Sequence, residues 1–353
     1  MKILLISSNN EWRGSEQVID SIFNYNSVNL DFYLFCLQHS ELYKKNAQKK
    51  NKVFVFKRNW IFLLSSAYRL KKICSKFSIN LIHLNDSHSV NIYITACFLG
   101  LNIPAVLHRH VNIPVTNIWK YNFPKIKKII CVSNEVKSTA SKTIPEEKLS
   151  VIYPGIPVDE YRRKEINKNF IKQLFTIPEE AKIIGIISAI AKEKNITEFI
   201  EIAGKSIKKN KNYHFVIIGD GSLYQNYKAA YSTTNIHFTG FRTDIAAVLS
   251  CFDIFLFTSK NEGLGVVLLE AMAAKVPVLS SNFPAVEELI EDKKTGFIYT
   301  DVNDALVQTE LLINNEILRN NITTNAYRFV QQFDVTLMNK KIEAVYKSIL
   351  TND

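Results

Sequence analysis

Two glutamates lie on either side of a glycine turn, and their types and spacing suit them to act on one ligand. Glu262 stands directly before Gly263, and Glu270 lies in the apolar stretch that follows Gly265. The apolar run at 254–257 is typical of a buried strand, whereas the residues after Gly265 are strong helix formers. The pattern predicts a strand, a tight glycine turn and a helix whose first backbone N–H groups lack partners within the helix.

A helix start of this kind attracts anions, phosphate above all. A carboxylate beside a phosphate would be repelled, so Glu262 and Glu270 are better suited to accept hydrogen bonds from hydroxyl groups. Hydroxyl acceptors next to a phosphate site fit a nucleotide-sugar. The alternative is that Glu262 is solvated and that Glu270 lies on the wet side of an amphipathic helix, which is the commoner situation for an isolated pair of glutamates.

The complete run resembles the donor-site motif of the family-four retaining glycosyltransferases, in which two glutamates flank a glycine loop and an apolar helix. Its residues here are Glu262, Gly263, Leu264, Gly265, Val266 and Glu270. Four further segments match the same family in the same order, at 238–244, 277–281, 287–288 and 295–297. The resemblance implies an α/β protein with the GT-B fold, in which two doubly wound Rossmann-like domains face a central cleft.

Chain length and element pattern agree with two such domains. The chain has 353 residues, and apolar runs of strand type alternate with helical patterns in both halves. We expect an acceptor-side domain at 1–165, a donor-binding domain at 166–333, and a final helix at 334–353. The family's last helix crosses back to the first domain, and the same is expected here.

The resemblance assigns a diphosphate-binding role to Lys194, which matches a lysine that clamps the donor. The arginine that completes this clamp in the family is Ala189 here. Either Lys192 or Arg242 replaces it, or the diphosphate is held more weakly.

The resemblance also assigns residues to the other parts of the donor. Glu262 is assigned to the sugar hydroxyls and Glu270 to the ribose hydroxyls. Gly240, Phe241 and Arg242 match a turn in which backbone groups contact the nucleobase.

Two features of the first half point to the same ligand. Gly14 opens the first predicted helix and would let a phosphate or the reacting sugar approach the backbone, although Arg13 occupies the family's other glycine position. His110 ends a predicted strand within the cluster His108, Arg109 and His110, and the family places a histidine there close to the transferred sugar. Arg109 is a candidate to hold an anionic group of the donor or acceptor.

Polar residues end the preceding strand as well. Asp86 and His88 are candidates for the ligand site because ligands bind at the carboxyl ends of parallel strands. An equally good interpretation is that they cap the next helix.

These assignments predict a metal-independent hexosyltransferase, since the sequence has neither an Asp-x-Asp motif nor a cluster of histidines and carboxylates. Catalytic roles fall to His110, Lys194 and Glu262. No cofactor is expected, because the UDP- or GDP-sugar is a substrate and the acceptor is a glycan or lipid-linked glycan. We expect sugar transfer with retention in bacterial surface polysaccharide or glycolipid assembly. The alternative enzyme is a GT-B epimerase or hydrolase that acts on the nucleotide-sugar without an acceptor.

Charge is unevenly distributed along the chain. Residues 1–160 contain 21 Lys or Arg and 11 Asp or Glu, whereas the remainder is nearly balanced. No acid occurs at 53–85, where bulky apolar residues accompany basic ones. This segment fits a helix on an anionic membrane or a helix packed on the sheet. A nucleic-acid-binding protein is a remote alternative, and no nucleic-acid partner is expected because the aromatic residues are not interleaved with basic ones.

The five cysteines form no Cys-x-x-Cys pair, and three of them, Cys36, Cys131 and Cys251, lie in or beside apolar runs. They suit a reducing compartment. The N-terminal apolar run is too short for a signal peptide. We expect a cytoplasmic protein, or one peripheral to the inner face of the cell membrane.

Overall fold

Parallel strands alternate with helices along the chain and form two separate sheets. The computed structural model describes residues 1–57, 62–162 and 169–351. Most strands have buried apolar residues at consecutive positions and therefore on both faces, as parallel sheets covered on two faces require. The α/β class expected from the sequence is therefore confirmed.

The first sheet has seven strands. They are β1 (Lys2–Ser7), β2 (Asp31–Leu37), β3 (Val53–Phe56), β4 (Leu81–Leu84), β5 (Ala105–Arg109), β6 (Ile126–Cys131) and β7 (Leu149–Val151). Their spatial order is β3-β2-β1-β4-β5-β6-β7. The helices of this region are α1 (Gly14–Phe23), α2 (Glu41–Asn46), α3 (Leu63–Phe77), α4 (Ser87–Phe98), α5 (Ile118–Tyr121) and α6 (Asn134–Ser141). This is a doubly wound arrangement, because the strand order reverses direction after β1.

The second sheet has six strands in the order β10-β9-β8-β11-β12-β13. They are β8 (Lys182–Ile187), β9 (Tyr213–Ile218), β10 (Ile236–Gly240), β11 (Ile254–Phe257), β12 (Val278–Ser281) and β13 (Phe297–Tyr299). The helices are α7 (Phe170–Phe175), α8 (Ile196–Lys209), α9 (Tyr224–Tyr231), α10 (Ile245–Ser250), α11 (Val266–Ala273), α12 (Val302–Asn314) and α13 (Glu316–Val330). Short 3-10 turns lie at Glu146–Lys148, Val158–Arg162, Lys192–Lys194, Val286–Glu288 and Gln331–Phe333.

The chain divides into one unit of Met1–Gly155 with Val335–Asp353, and a second unit of Ile156–Asp334. The boundary predicted at 165/166 falls within 163–168, outside the described residues. The second unit begins earlier than that boundary because the amide of Ile156 donates to the carbonyl of Phe333 at 2.9 Å. A parallel bridge between Ile156 and Asp334 extends this pairing.

The last helix, α14 (Val335–Thr351), belongs to the first unit. Its residues Met338, Ile342 and Tyr346 are buried in the same core cluster as Ile19 of α1. The Tyr346 hydroxyl also lies 2.6 Å from Nδ1 of the buried His83. The chain therefore returns to its starting unit after completing the second sheet.

Within the ranges described, no helix has both the length and the apolar character needed to cross a bilayer.

Candidate functional site

The centre of the second sheet brings together the two loops that carry the predicted donor residues. Strand order reverses between β8 and β11, and the loops that leave their carboxyl ends run to opposite sides. Such a switch point leaves an opening in which ligands bind. Lys194 lies in the loop after β8, and Glu262 lies in the loop after β11.

Lys194 and Glu262 form an ion pair at this point. The Lys194 Nζ donates to Oε1 of Glu262 at 2.7 Å, and the two side chains are 23% and 14% exposed. The Thr258 hydroxyl donates to the carbonyl of Lys194 at 3.2 Å, which joins the two loops a second time. The predicted phosphate-binding and sugar-binding residues are thus direct neighbours.

A third acid, Glu198 in the first turn of α8, contacts both of the loops that carry this pair. It accepts hydrogen bonds from the Tyr299 hydroxyl at 2.7 Å and from the Asn195 amide at 2.8 Å. It also lies 3.4 Å from the ammonium of Lys260 in the Glu262 loop. Sequence analysis missed Glu198, because nothing in the chain order links it to residues 260 and 299.

The start of α11 has the geometry predicted from the glycine turn. Gly265 is the N-cap, with a left-handed φ of 90°, and no side chain caps the helix. A Cβ at this residue would lie 3.3 Å from both Leu268 and Phe283, so a side chain would be crowded as well as strained. Leu264 is buried, while Gly263 and Val266 are partly exposed at the helix start.

Glu270 is buried on α11 and accepts a hydrogen bond from Tyr161. Burial raises the pKa of the Tyr161 phenol, and the neighbouring Glu270 carboxylate raises it further. Glu270 is therefore not on the wet side of its helix, which was the alternative interpretation of the sequence. Sequence analysis also missed Tyr161, whose partner is distant along the chain.

The Gly-x-Gly turn after β9 packs against the backbone of the Lys194 loop. A Cβ on Gly219 would lie 1.9 Å from the carbonyl oxygen of Ser188, and one on Gly221 would lie 2.6 Å from that of Ile190. Only glycine permits this approach. The turn thus determines where the loop after β8 can run.

The predicted base-contacting turn ends β10. Gly240 has a left-handed φ of 79°, and Phe241 is exposed beside it. Arg242 donates from Nε and Nη2 to Asp244, at 2.8 and 2.5 Å. Asp244 thus accepts hydrogen bonds from two of the guanidinium nitrogens of Arg242, one of the two candidates to replace the arginine missing at position 189. Lys192 is exposed and forms no ion pair with any described residue.

The N-terminal candidates lie in the first unit. His110 is half-buried after β5, and its Nε2 lies 2.7 Å from the Asn85 side-chain oxygen. Its ring stacks on His108 with centroids 4.3 Å apart. Burial lowers the pKa of His110 to about 3, which keeps the imidazole neutral. Gly14 begins α1 with open space around its Cα.

Two other polar residues at these strand ends, Asp86 and Arg109, have hydrogen-bond partners within the first unit. Asp86 caps α4 by accepting hydrogen bonds from the amides of His88 and Ser89. Arg109 is buried, and it donates to the Ile113 carbonyl and the Tyr121 hydroxyl. Among the described residues, no group of three or more histidine, cysteine or acidic side chains could hold a metal ion.

Two family models match the chain in succession. The Glycosyltransferase Family 4 model matches residues 25–160, and the Glycosyl transferases group 1 model matches residues 167–329.

Individual relatives span most of the chain at low identity. An N-acetyl-alpha-D-glucosaminyl L-malate synthase of Bacillus anthracis is 23% identical over 311 residues, with 82% of this chain and 80% of that protein covered. A UDP-Gal:alpha-D-GlcNAc-diphosphoundecaprenol alpha-1,3-galactosyltransferase of Escherichia coli is 24% identical over 314 residues, with the same coverage. The crystal structure of Anabaena HepE with UDP-glucose superposes with a TM-score of 0.85 at 19% identity, covering 99% of this chain and 100% of that one. The chain therefore belongs to the family-four, group 1 glycosyltransferases, has the GT-B fold, and is an enzyme that transfers sugars.

Proposed function

We propose that this enzyme moves a sugar from a UDP-sugar to a hydroxyl group of a glycan or lipid-linked glycan, with retention of anomeric configuration. The observation that carries the proposal is the Lys194–Glu262 pair beside the uncapped start of α11. The E. coli relative is named for a UDP-linked donor, and the Anabaena structure holds UDP-glucose, which favours UDP over GDP. The name of the E. coli relative, which gives a diphosphoundecaprenol-linked sugar as acceptor, also supports a lipid-linked glycan as acceptor here.

In this proposal, the diphosphate binds at the N-terminus of α11. The first-turn N–H groups and the Lys194 ammonium supply positive charge where the nucleoside diphosphate leaves. An ammonium has three N–H donors, so Lys194 can contact the diphosphate while it still donates to Glu262. Glu262 then accepts hydrogen bonds from the sugar hydroxyls. The pair places both contacts before the donor arrives, so little reorganisation is needed during the reaction.

Glu270 binds the ribose hydroxyls, and Tyr161 orients its carboxylate. A carboxylate has two oxygens and about four lone-pair sites, so one tyrosine leaves ample capacity for two ribose hydroxyls. This role explains why an acid is buried in an otherwise apolar helix.

Sugar transfer proceeds by attack on the same face of the sugar that the leaving group departs from. A diphosphate oxygen of the donor takes the proton of the acceptor hydroxyl. His110 contacts the transferred sugar. The reaction needs no metal ion in this proposal, because Lys194 and the N–H groups of α11 meet the leaving-group charge.

The direct test is a transfer assay in which the purified enzyme receives UDP-, GDP- and ADP-sugars with and without a lipid-linked glycan acceptor. We expect nucleoside diphosphate release that depends on acceptor, and a product whose anomeric configuration by NMR equals that of the donor. Equal turnover in acceptor-free buffer would support the epimerase or hydrolase alternative instead. An inverted product would refute retention.

We also propose that the first unit contacts an anionic membrane surface. Asp86 is the only acid between Glu41 and Glu135, a span that contains sixteen Lys or Arg. On α3, residues such as Leu70 face the core, whereas Leu64 and Tyr68 are exposed among the basic residues. The loop after β5 and α5 add further exposed apolar residues, namely Val111, Ile113, Ile118 and Trp119. Residues 58–61, which sequence analysis included in the basic apolar segment, lie outside the described residues.

We therefore predict binding to phosphatidylglycerol vesicles in a flotation assay, and weak binding to pure phosphatidylcholine. Each lysine or arginine near an anionic surface contributes about 1 kcal/mol, so raised salt should release the protein. Leu64→Glu should weaken binding. Val307→Glu, on α12 of the second unit, is the matched control, because both positions are 64% exposed. Equal binding to both vesicle types would contradict the membrane proposal.

A further inference from the structure

A fully buried carboxylate on α1 begins a hydrogen-bond chain that ends at His110. Glu16 has no exposed surface. It accepts hydrogen bonds from the amide of Asn9 at 2.7 Å and from the hydroxyls of Ser15 at 2.7 Å and Ser7 at 3.0 Å. Nδ2 of Asn85 also donates to this carboxylate at 3.2 Å, so four side chains in all donate hydrogen bonds to it. Burying a carboxylate costs folding free energy unless it is hydrogen-bonded. The number of hydrogen bonds to Glu16 therefore indicates a role beyond packing.

Asn85 links Glu16 to His110 and determines which ring nitrogen of His110 carries the proton. A carboxylate oxygen accepts hydrogen bonds, so the Asn85 side chain must turn its NH₂ group toward Glu16. Its oxygen then faces Nε2 of His110 at 2.7 Å. An amide oxygen only accepts, and Nε2 must therefore carry the ring proton of a neutral imidazole. The other ring nitrogen, Nδ1, is left with a lone pair.

Two further histidines keep the ring of His110 in place. The ring of His108 stacks on it, with the ring centroids 4.3 Å apart and the ring planes at 20°. The ring centroid of His83 lies 5.3 Å from that of His108. Both nitrogens of His108 are buried without a partner among the described residues. A positive charge on any one of these rings would therefore be poorly solvated and would face a like-charged neighbour if a second ring were protonated. Poor solvation and the closeness of the rings therefore favour the uncharged form of all three.

We propose that Glu16 and Asn85 are positioning residues that act through His110, holding it as the Nε2–H tautomer so that Nδ1 accepts a hydrogen bond from a hydroxyl of the transferred sugar. The contact with the sugar rests on the proposed function, whereas the tautomer does not. The inference explains why a buried acid, a buried amide and a histidine from three separate elements converge at the carboxyl ends of β1, β4 and β5.

The tautomer is measured directly by long-range ¹H–¹⁵N correlation spectra of protein labelled at histidine, without any substrate. In wild type, we expect His110 to show a protonated Nε2 and an unprotonated Nδ1. Glu16→Gln supplies an amide that can donate to the Asn85 oxygen, so the reversed orientation of the Asn85 side chain also has a partner and the Nδ1–H form should become populated. Asp20→Asn is the matched control, since Asp20 is another buried acid on α1, and its partners are Asn24, Lys45 and Asn46.

The kinetic test is a double-mutant cycle. Glu16→Gln and Asn85→Ala should each lower kcat/KM for sugar transfer by about tenfold, the scale of one lost hydrogen bond. In a His110→Ala background, the same substitutions should lower it little further, because residues that act through one group are not additive. Asp20→Asn should leave kcat/KM within twofold of wild type.

The outcomes separate this inference from the proposed function. A wild-type Nδ1–H tautomer, or an unchanged tautomer in Glu16→Gln, would overturn the positioning role even if sugar transfer is observed. Additive losses in the His110→Ala background would do the same, since they would indicate a general structural role. Absence of sugar transfer by wild type would refute the proposed function and leave the spectroscopic test standing.

Discussion

At the residue scale, the central feature of the candidate site is the ion pair between Lys194 and Glu262. Lys194 and Glu262 come from loops that the sheet order makes neighbours, and each satisfies the other at 2.7 Å. The sequence predicted both residues from their resemblance to family motifs. It predicted neither their contact nor the supporting Glu198, because hydrogen-bond partners far apart in the chain leave no local pattern.

Tyr161 provides a residue-scale prediction about donor affinity. Tyr161→Phe removes the hydroxyl that donates to Glu270 and leaves the ring in place. We expect KM for the donor to rise about five- to tenfold, as for one lost hydrogen bond to a charged group, with kcat nearly unchanged. Steady-state kinetics with varied UDP-sugar measure this effect.

Tyr213→Phe is the control for this substitution. It removes another tyrosine–glutamate bond of the second unit, from Tyr213 to Glu310 at 2.9 Å, at the opposite end of the strands. A similar KM change in both variants would indicate that Tyr161 acts on stability and not on the donor.

At the element scale, the strands and the glycine turn before α11 followed from local sequence. Apolar runs of four to six residues predicted β1, β3, β8, β9 and β11, because buried parallel strands need apolar side chains on both faces. The support that the turn at 219–221 gives to the neighbouring loop could not be predicted, because the contact with Ser188 exists only once β8 and β9 lie side by side.

Gly219→Ala should therefore disturb the Lys194 loop. The new Cβ would lie 1.9 Å from the Ser188 carbonyl oxygen at a φ of +136°, so the backbone must move. We expect the free energy of unfolding to fall by roughly 1–3 kcal/mol and the donor KM to rise. Urea denaturation and donor kinetics measure the two effects.

Gly204→Ala offers the matched comparison. Gly204 lies inside α8, and a Cβ there meets nothing within 4 Å. Since alanine is the better helix former, this variant should gain about 0.5–1 kcal/mol of stability. Equal stability of the two variants would contradict the packing role assigned to Gly219.

At the scale of the whole molecule, the sequence predicted the GT-B fold through family resemblance. Composition and periodicity alone predicted only an α/β chain of sufficient length. The partners of the buried histidines could not be predicted, because His83 meets Tyr346 across 263 positions of the chain. The last helix, α14, is far from the first sheet along the chain, and the two meet only in the folded first unit.

Three histidines of the first unit, the buried His83 and His108 and the half-buried His110, predict a pH dependence of stability. Burial lowers the native pKa of His83 and His110 to about 3, and that of His108 well below 6.5. An unfolded histidine titrates near 6.5, so the unfolded state takes up more protons as the pH falls. Stability from these residues is therefore fully present above about pH 7 and is lost progressively as the pH falls from 6.5 toward 3. Over this range, each histidine lowers the free energy of unfolding by up to about 1.4 kcal/mol for every unit that the pH falls.

Urea unfolding at pH 7 and pH 5 measures this loss by tryptophan fluorescence, because Trp12 and Trp119 belong to the first unit. His108→Leu should reduce the pH dependence, since it removes a buried titratable ring whose nitrogens have no partner among the described residues. The exposed His39 provides the control variant His39→Gln, which should retain the wild-type dependence. A pH-independent free energy of unfolding in wild type would be inconsistent with neutral, buried histidines.

The most direct test of the donor site is calorimetric titration of UDP and a UDP-sugar into wild type, Lys194→Ala and Glu262→Gln. Lys194→Ala should weaken both ligands about tenfold or more, whereas Glu262→Gln should weaken the UDP-sugar and leave UDP nearly unchanged. Lys205→Ala removes a surface ion pair with Glu201 on α8 and should bind both ligands as wild type does. Wild-type affinity of both site variants for the UDP-sugar would contradict the assignment of the α11 start as the donor site.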